Sequence, residues 1–185
     1  VPSRTTQWQQ TSSGPLTPDN PLRLVWDNRV GQKFIREIAL DDNYMFTVTQ
    51  SVENYSRKPV TLYPYGLATR YGTPKTEGFF ILHEGMLGVF DGTLTEIDYD
   101  DIQDDKETKI DSTGGWLGIT DKYWMVALIP DQAEKFTGKF SDRVVAGTDV
   151  YQTDFIRGGV TIMAGATASS ESRFFAGAKE ASVLD

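Results

Sequence analysis

The sequence predicts an all-β fold, an antiparallel sandwich or barrel with little helix. Three observations carry this. Short runs of β-type residues recur about every ten positions between Gly, Asn and Asp turns. Aromatic and β-branched residues, which fit a pleated surface, concentrate in those runs. No window of a dozen residues holds an apolar i, i+3, i+4, i+7 stripe free of Gly, Pro and β-branched runs. With 185 residues, the chain is long enough to bury a core as one domain, residues 21–185, behind an irregular polar lead-in over residues 1–20.

The elements follow in order. The lead-in is rich in Ser, Thr, Gln, Gly and Pro, with a short strand predicted over Thr5–Gln10. Leu22–Trp26 reads as a strand that ends at the turn pair Asp27-Asn28, and a second run covers Phe34–Leu40. Beyond it, Tyr44, Phe46 and Val48 alternate with Met45, Thr47 and Thr49, as two faces of a strand require. Further strands are predicted at Val60–Tyr65, Leu67–Tyr71, Gly78–His83, Leu87–Phe90 and Leu94–Ile97. Thr108–Ile110, Trp116–Thr120, Tyr123–Ile129, Glu134–Phe140, Thr148–Arg157, Val160–Ala164 and Ser170–Ala176 complete the set. Helix is confined to a single turn at Gln132–Phe136 and a start at Ala178–Leu184.

Charge and composition exclude several functions. Twenty-six acidic against 18 basic side chains leave a formal net charge of −8. An acidic surface repels phosphate backbones, so no nucleic acid is expected as a partner, and it disfavours adhesion to an anionic lipid surface. There is no cysteine, which removes disulfides, thiolate catalysis and Cys-ligated metals. The longest apolar stretch, Trp124–Ile129, falls far short of the roughly 20 residues that span a bilayer.

Candidate chemistry is thin. Asp98–Glu107 crowds six carboxylates into ten positions, yet aligning it as a Ca²⁺ loop puts Ile102 at the fifth position and Gln103 where a turn glycine belongs. It reads as a solvated acidic loop, not a metal site. His83-Glu84 is the one pair suited to acid–base work near neutral pH, but neighbours on a strand face opposite ways. His83 therefore reads as a structural or surface residue. No catalytic residue, metal or cofactor is expected. Tyr63, Tyr65, Tyr71, Phe79, Phe80, Trp116, Tyr123 and Trp124 could stack on a ligand, but filling the space between sheets is the commoner use. Pro64 confines Tyr63-Pro64-Tyr65-Gly66 to a sheet edge or turn, so Tyr63 and Tyr65, with Tyr71, are the groove candidates. Gly114-Gly115 and Gly158-Gly159 are turn or bulge positions.

Four motifs carry a family likeness. Gly114-Gly115-Trp116 leads through a turn at Asp121-Lys122 and Tyr123 into an apolar strand ending in Ile129-Pro130. Arg36–Val48 contains an Asp-Asp-x-Tyr turn, Ser51-Val52-Glu53-Asn54 is followed by Lys58-Pro59-Val60, and Ser172–Lys179 holds a Phe-x-Gly-x-Lys segment with Ala178 where many relatives carry proline. In this order, from about Leu22 to Leu184, they resemble the periplasmic domain of the YidC membrane protein insertase family, Gram-negative type.

The resemblance implies a β-supersandwich related in shape to galactose-mutarotase-like folds. It implies a non-catalytic domain on the periplasmic side of the inner membrane, set between the first two transmembrane helices of a longer multi-pass protein. Val1-Pro2-Ser3-Arg4 has neither an initiator Met nor an apolar core, which fits an excised piece of that domain. The implied role is a scaffold or docking surface for Sec translocon components, their accessory subunits or nascent membrane proteins. The alternative is a carbohydrate-binding or sugar-epimerase-like sandwich, which rests on fold kinship alone.

Overall fold

A computed structural model describes residues 1–74 and 83–179. Strands β1 to β8 are Gln9–Gln10, Leu22–Asp27, Gln32–Leu40, Met45–Asn54, Val60–Leu62, Tyr65–Tyr71, Gly85–Phe90 and Thr93–Asp98. Helix α1, Tyr99–Asp105, comes next. Strands β9 to β15 are Glu107–Thr113, Gly115–Thr120, Trp124–Ile129, Lys135–Val145, Thr148–Arg157, Val160–Ile162 and Thr167–Ala178. The all-β expectation holds, and every strand pair with a defined register is antiparallel. Gly78–Leu82 of one expected strand, with Phe79 and Phe80, lies outside the described residues, as does most of the helix expected over Ala178–Leu184.

The chain divides into two compact units, Val1–Pro64 with Gly158–Arg173, and Tyr65–Arg157 with Phe174–Asp185. In the first, strands run in the order β1-β2-β3-β4-β15, and β5 pairs with β14 in a small sheet of their own. The Asp-Asp-x-Tyr motif makes the β3–β4 turn. Asp41 Oδ1 accepts the amides of Asn43 and Met45 at 2.8 and 2.9 Å, which folds the chain locally without help from the core.

Asn54, 1% exposed, holds the first unit's far end together. Its Nδ2 donates to the carbonyls of Lys58 and Ile162, both at 2.9 Å, and Met163 at 3.2 Å. Its Oδ1 accepts from Ser56 Oγ at 2.7 Å and Gln32 Nε2 at 3.3 Å, while its backbone pairs with Ala166 and Gly165. One amide side chain thus ties the β4 end, the turn after it and the loop after β14.

In the second unit, β11-β10-β7-β8 lie in one sheet, with the end of β15 beside β11, and β6-β13-β12-β9 form another. Period-2 alternation supplies the core between them. Phe136, Phe140, Tyr151 and Phe155 of β12 and β13 meet Met86, Phe90, Leu117, Ile119 and Leu128 of the facing sheet. Phe90 packs edge-on to Phe140 at 6.0 Å, over Gly138, where a Cβ would meet its ring at 2.7 Å. The Gly-Gly-Trp motif has a similar reason. A Cβ on Gly115 would collide with the Val89 carbonyl of the neighbouring strand, and its φ of +103° suits glycine alone.

Two local expectations are corrected. The acidic segment is not a solvated loop: Tyr99–Asp105 is the helix α1, the sole one among the described residues. Its i, i+3 pair Tyr99 and Ile102 is buried, Tyr99 lies edge-on to Tyr151 at 4.6 Å, and the carboxylates take the outer side. Residues Gln132–Phe136 make a turn that leads into β12, where Phe136 enters the core, and not a helical turn.

Replacing Asn54 by Ala leaves several buried carbonyls and amides unpaired, each carrying a desolvation penalty. The expected loss is on the order of 3 kcal/mol of unfolding free energy. Urea denaturation measures it, with the exposed Val30→Ala variant as a near-neutral control; equal midpoints for the two would refute the role given to Asn54.

Candidate functional site

The outer face of the four-stranded sheet is the candidate site, and alternation decides which residues reach it. Register sets Tyr65 opposite Ile156, Leu67 opposite Asp154, Thr69 opposite Gln152 and Tyr71 opposite Val150. Across β12, Lys139 stands opposite Asp154 and Ser141 opposite Gln152. All of these share the face turned away from the aromatic core.

The centre of this face is polar and satisfied. Gln152 Nε2 donates to Asp154 Oδ2 at 2.6 Å and to the Tyr65 hydroxyl at 3.3 Å, and Gln152 Oε1 accepts from Arg143 at 3.2 Å. Lys139 Nζ lies 3.5 Å from the buried Asp154 carboxylate and 3.7 Å from Glu107. Paired and hydrogen-bonded in this way, the buried charges fix the geometry of the face. Around this centre the apolar side chains are open. Tyr65 is 37% exposed and Tyr71 62%, with Leu67 and Ile156 also on the surface. The arrangement suits binding.

Tyr65 and Tyr71 therefore come together on one face of β6. Tyr63, 60% exposed, belongs to the first unit, between β5 and Pro64, with its ring beside Gly159. The polar centre was not singled out from sequence, although the alternation of Thr148–Arg157 already put Gln152 and Asp154 on one side. Nothing in one strand reveals that Lys139 and Arg143 face them.

The other candidates resolve differently. His83 precedes β7 and is not in a strand; its Nε2 lies 2.8 Å from the Met86 carbonyl oxygen and its Nδ1 3.2 Å from Asp98. Both ring nitrogens have structural partners. Among the described residues no group of three or more His, Asp or Glu could hold a metal ion. Asp121, from the turn of the Gly-Gly-Trp motif, takes a two-point ion pair with Arg70, 2.7 Å at Nη2 and 3.0 Å at Nε, and accepts the Tyr99 hydroxyl at 2.8 Å. Tyr123 and Trp124, expected in the core, stand out into solvent.

The family model for the YidC periplasmic domain matches residues 1–185. The chain belongs to that family. It is 46% identical over 184 residues to the membrane protein insertase YidC of Bradyrhizobium diazoefficiens, covering all of this chain and 30% of that protein. It is 51% identical over 173 residues to YidC of Beijerinckia indica, covering 92% of this chain and 28% of that one. The chain thus spans about 30% of the length of these YidC relatives. Among solved structures, a galactose mutarotase related enzyme from Lactobacillus acidophilus superposes with a TM-score of 0.66 at 11% identity, covering 94% of this chain and 72% of that one. A putative aldose 1-epimerase from Klebsiella pneumoniae gives 0.58 at 11% identity, over 91% of this chain and 54% of its own. These show that the YidC domain shares the mutarotase-like fold, and at such identity they show the fold alone. Among the described residues no helix is long and apolar enough to cross a membrane.

Burial, and then the hydrogen bond to Asp121, raise the Tyr99 hydroxyl above its usual 10.0. A group whose folded pKa is raised contributes stability that is complete below the unfolded value and lost as pH rises through the folded one. Unfolding free energy should therefore fall with pH from about 10 upward, and Tyr99→Phe should flatten this slope although it weakens the protein at pH 8. Denaturant midpoints across the alkaline range test this; identical slopes in both proteins would contradict it.

Proposed function

We propose that this domain is a non-catalytic docking surface within a longer membrane protein insertase, acting on the periplasmic side of the inner membrane. It receives other proteins on the outer face of the β6-β13-β12-β9 sheet. The observation that carries the reading is the open apolar border of Tyr65, Leu67, Tyr71 and Ile156 around a satisfied polar centre. Protein interfaces favour such exposed aromatics, whose large area and few torsions make contact at low entropic cost. By family, the partners are Sec translocon components or accessory subunits, and nascent membrane proteins.

The epimerase-like alternative is not favoured. Sugar epimerisation needs an acid and a base on opposite sides of the ring, whereas His83 is held by Met86 and Asp98. On the outer face, Asp154 is tied to Gln152 and Lys139.

Photo-crosslinking tests the proposal in the full-length protein in membranes. Probes at Tyr65 and Tyr71 should yield adducts with Sec subunits or nascent membrane proteins several-fold above a probe at Glu96, on the other sheet of the same unit. Equal capture at all three positions, or none while a transmembrane control probe reacts, would overturn it.

A further inference from the structure

The β10–β11 hairpin ends in an aromatic tip. The Asp121 amide donates to the Trp124 carbonyl at 2.8 Å, closing a turn that contains Lys122 and Tyr123. Along β11, Leu128 and Val126 point into the core, and two residues further on the same row reaches Trp124. There the core has ended: Trp124 and its neighbour Tyr123 are each 64% exposed. Two adjacent side chains of this size, left out of a core that buries Phe90, Phe136, Phe140 and Phe155, are a costly surface unless something apolar covers them.

The polar groups at the tip narrow down what covers it. Lys122 Nζ sits 5.2 Å from the centre of the Tyr123 ring. Asp121 is neutralised by its two-point pair with Arg70. The Lys179 amide donates to the Tyr123 carbonyl at 2.8 Å, which brings a second lysine to the same end. A chain with a formal charge of −8 thus places a tryptophan, a tyrosine and lysines at one point. Indole and phenol are apolar bodies with one hydrogen-bonding end, and lysine has an apolar stem under a charged head. This is the composition suited to the boundary between water and lipid, where rings settle among headgroups and the ammonium reaches phosphate. The relatives that carry this domain are named membrane protein insertases, so a bilayer is an apolar phase available to it.

We propose that the Lys122–Trp124 tip contacts the lipid bilayer surface, with the Trp124 and Tyr123 rings in the headgroup region and the Lys122 ammonium at lipid phosphate. The contact is independent of protein docking on the outer sheet face, and either can fail alone. It concentrates at one point the membrane affinity that the acidic chain as a whole disfavours.

Paramagnetic relaxation detects even brief contact. The ¹⁵N-labelled chain is mixed with phosphatidylcholine–phosphatidylglycerol bicelles that carry a gadolinium-chelating lipid. Its four indole N–H signals, Trp8, Trp26, Trp116 and Trp124, act as internal comparators. Trp124 should lose signal several-fold more than the other three, and Tyr123→Ala/Trp124→Ala should remove the bicelle-induced broadening of backbone amides near Asp121. Both substitutions are on exposed side chains, and the three remaining indole shifts report whether the fold is kept. Uniform attenuation, attenuation centred on another tryptophan, or none at all would overturn the proposal.

Discussion

The pairing register of β12 and β13 is the constraint on which the second unit depends. Over ten consecutive partners it sets Phe136, Phe140, Tyr151 and Phe155 on one face and Lys139, Gln152 and Asp154 on the other. A slip of one residue would turn one strand over against the other, driving Lys139 of β12, or Gln152 and Asp154 of β13, into an aromatic core and two aromatic rings into water. Each misplaced charge carries a desolvation penalty of several kcal/mol, so the alternative registers are closed to the chain. Core and candidate binding face are two sides of the same pairing.

Most strands were legible because period-2 alternation and turn residues are local signals. Thr148–Arg157 matches β13 to the residue, and the Asp41–Tyr44 turn carries its own hydrogen bonds. Helix α1 was not legible, since seven residues with two apolar positions, Tyr99 and Ile102, form no stripe. Its stability comes from docking, through Tyr151 and the Lys106–Asp142 ion pair at 3.3 Å. The candidate site was half legible. Tyr65 could be picked out by the proline beside it, but that it shares β6 with Tyr71 was not legible, since the run Val60–Tyr65 reads as one strand and is broken at Tyr63-Pro64. Arg143, Lys139 and Gln152 meet only through pairings between strands. Tyr123 and Trp124 read as core because their strand leads into the core; where that core ends is a tertiary fact.

The mutarotase-like fold does not by itself decide a function. A sandwich gives a stable face, and a few side chains decide what the face does. On this sheet the central positions are occupied by mutually satisfied groups, Gln152 with Asp154 and Asp154 with Lys139, which hold the strands in place. The periphery is left to the aromatic and aliphatic residues Tyr65, Leu67, Tyr71 and Ile156.

The first unit is discontinuous in sequence, and this has a consequence for how the chain is made. Thr61 pairs with Thr161, and Ser51 Oγ reaches Ser169 Oγ at 2.8 Å. The amide of Asn54 binds carbonyls of Ile162 and Met163. None of these partners exists when residues 1–64 leave the ribosome. At about 5–20 residues per second, the β4 edge waits roughly 5–20 s while the stretch from Tyr65 to Arg157 is synthesised. Most of the second unit emerges during that interval, although its Phe174–Ala178 strand end follows only after Gly158–Arg173. Until β15 arrives, β4 keeps an open strand edge that needs shielding.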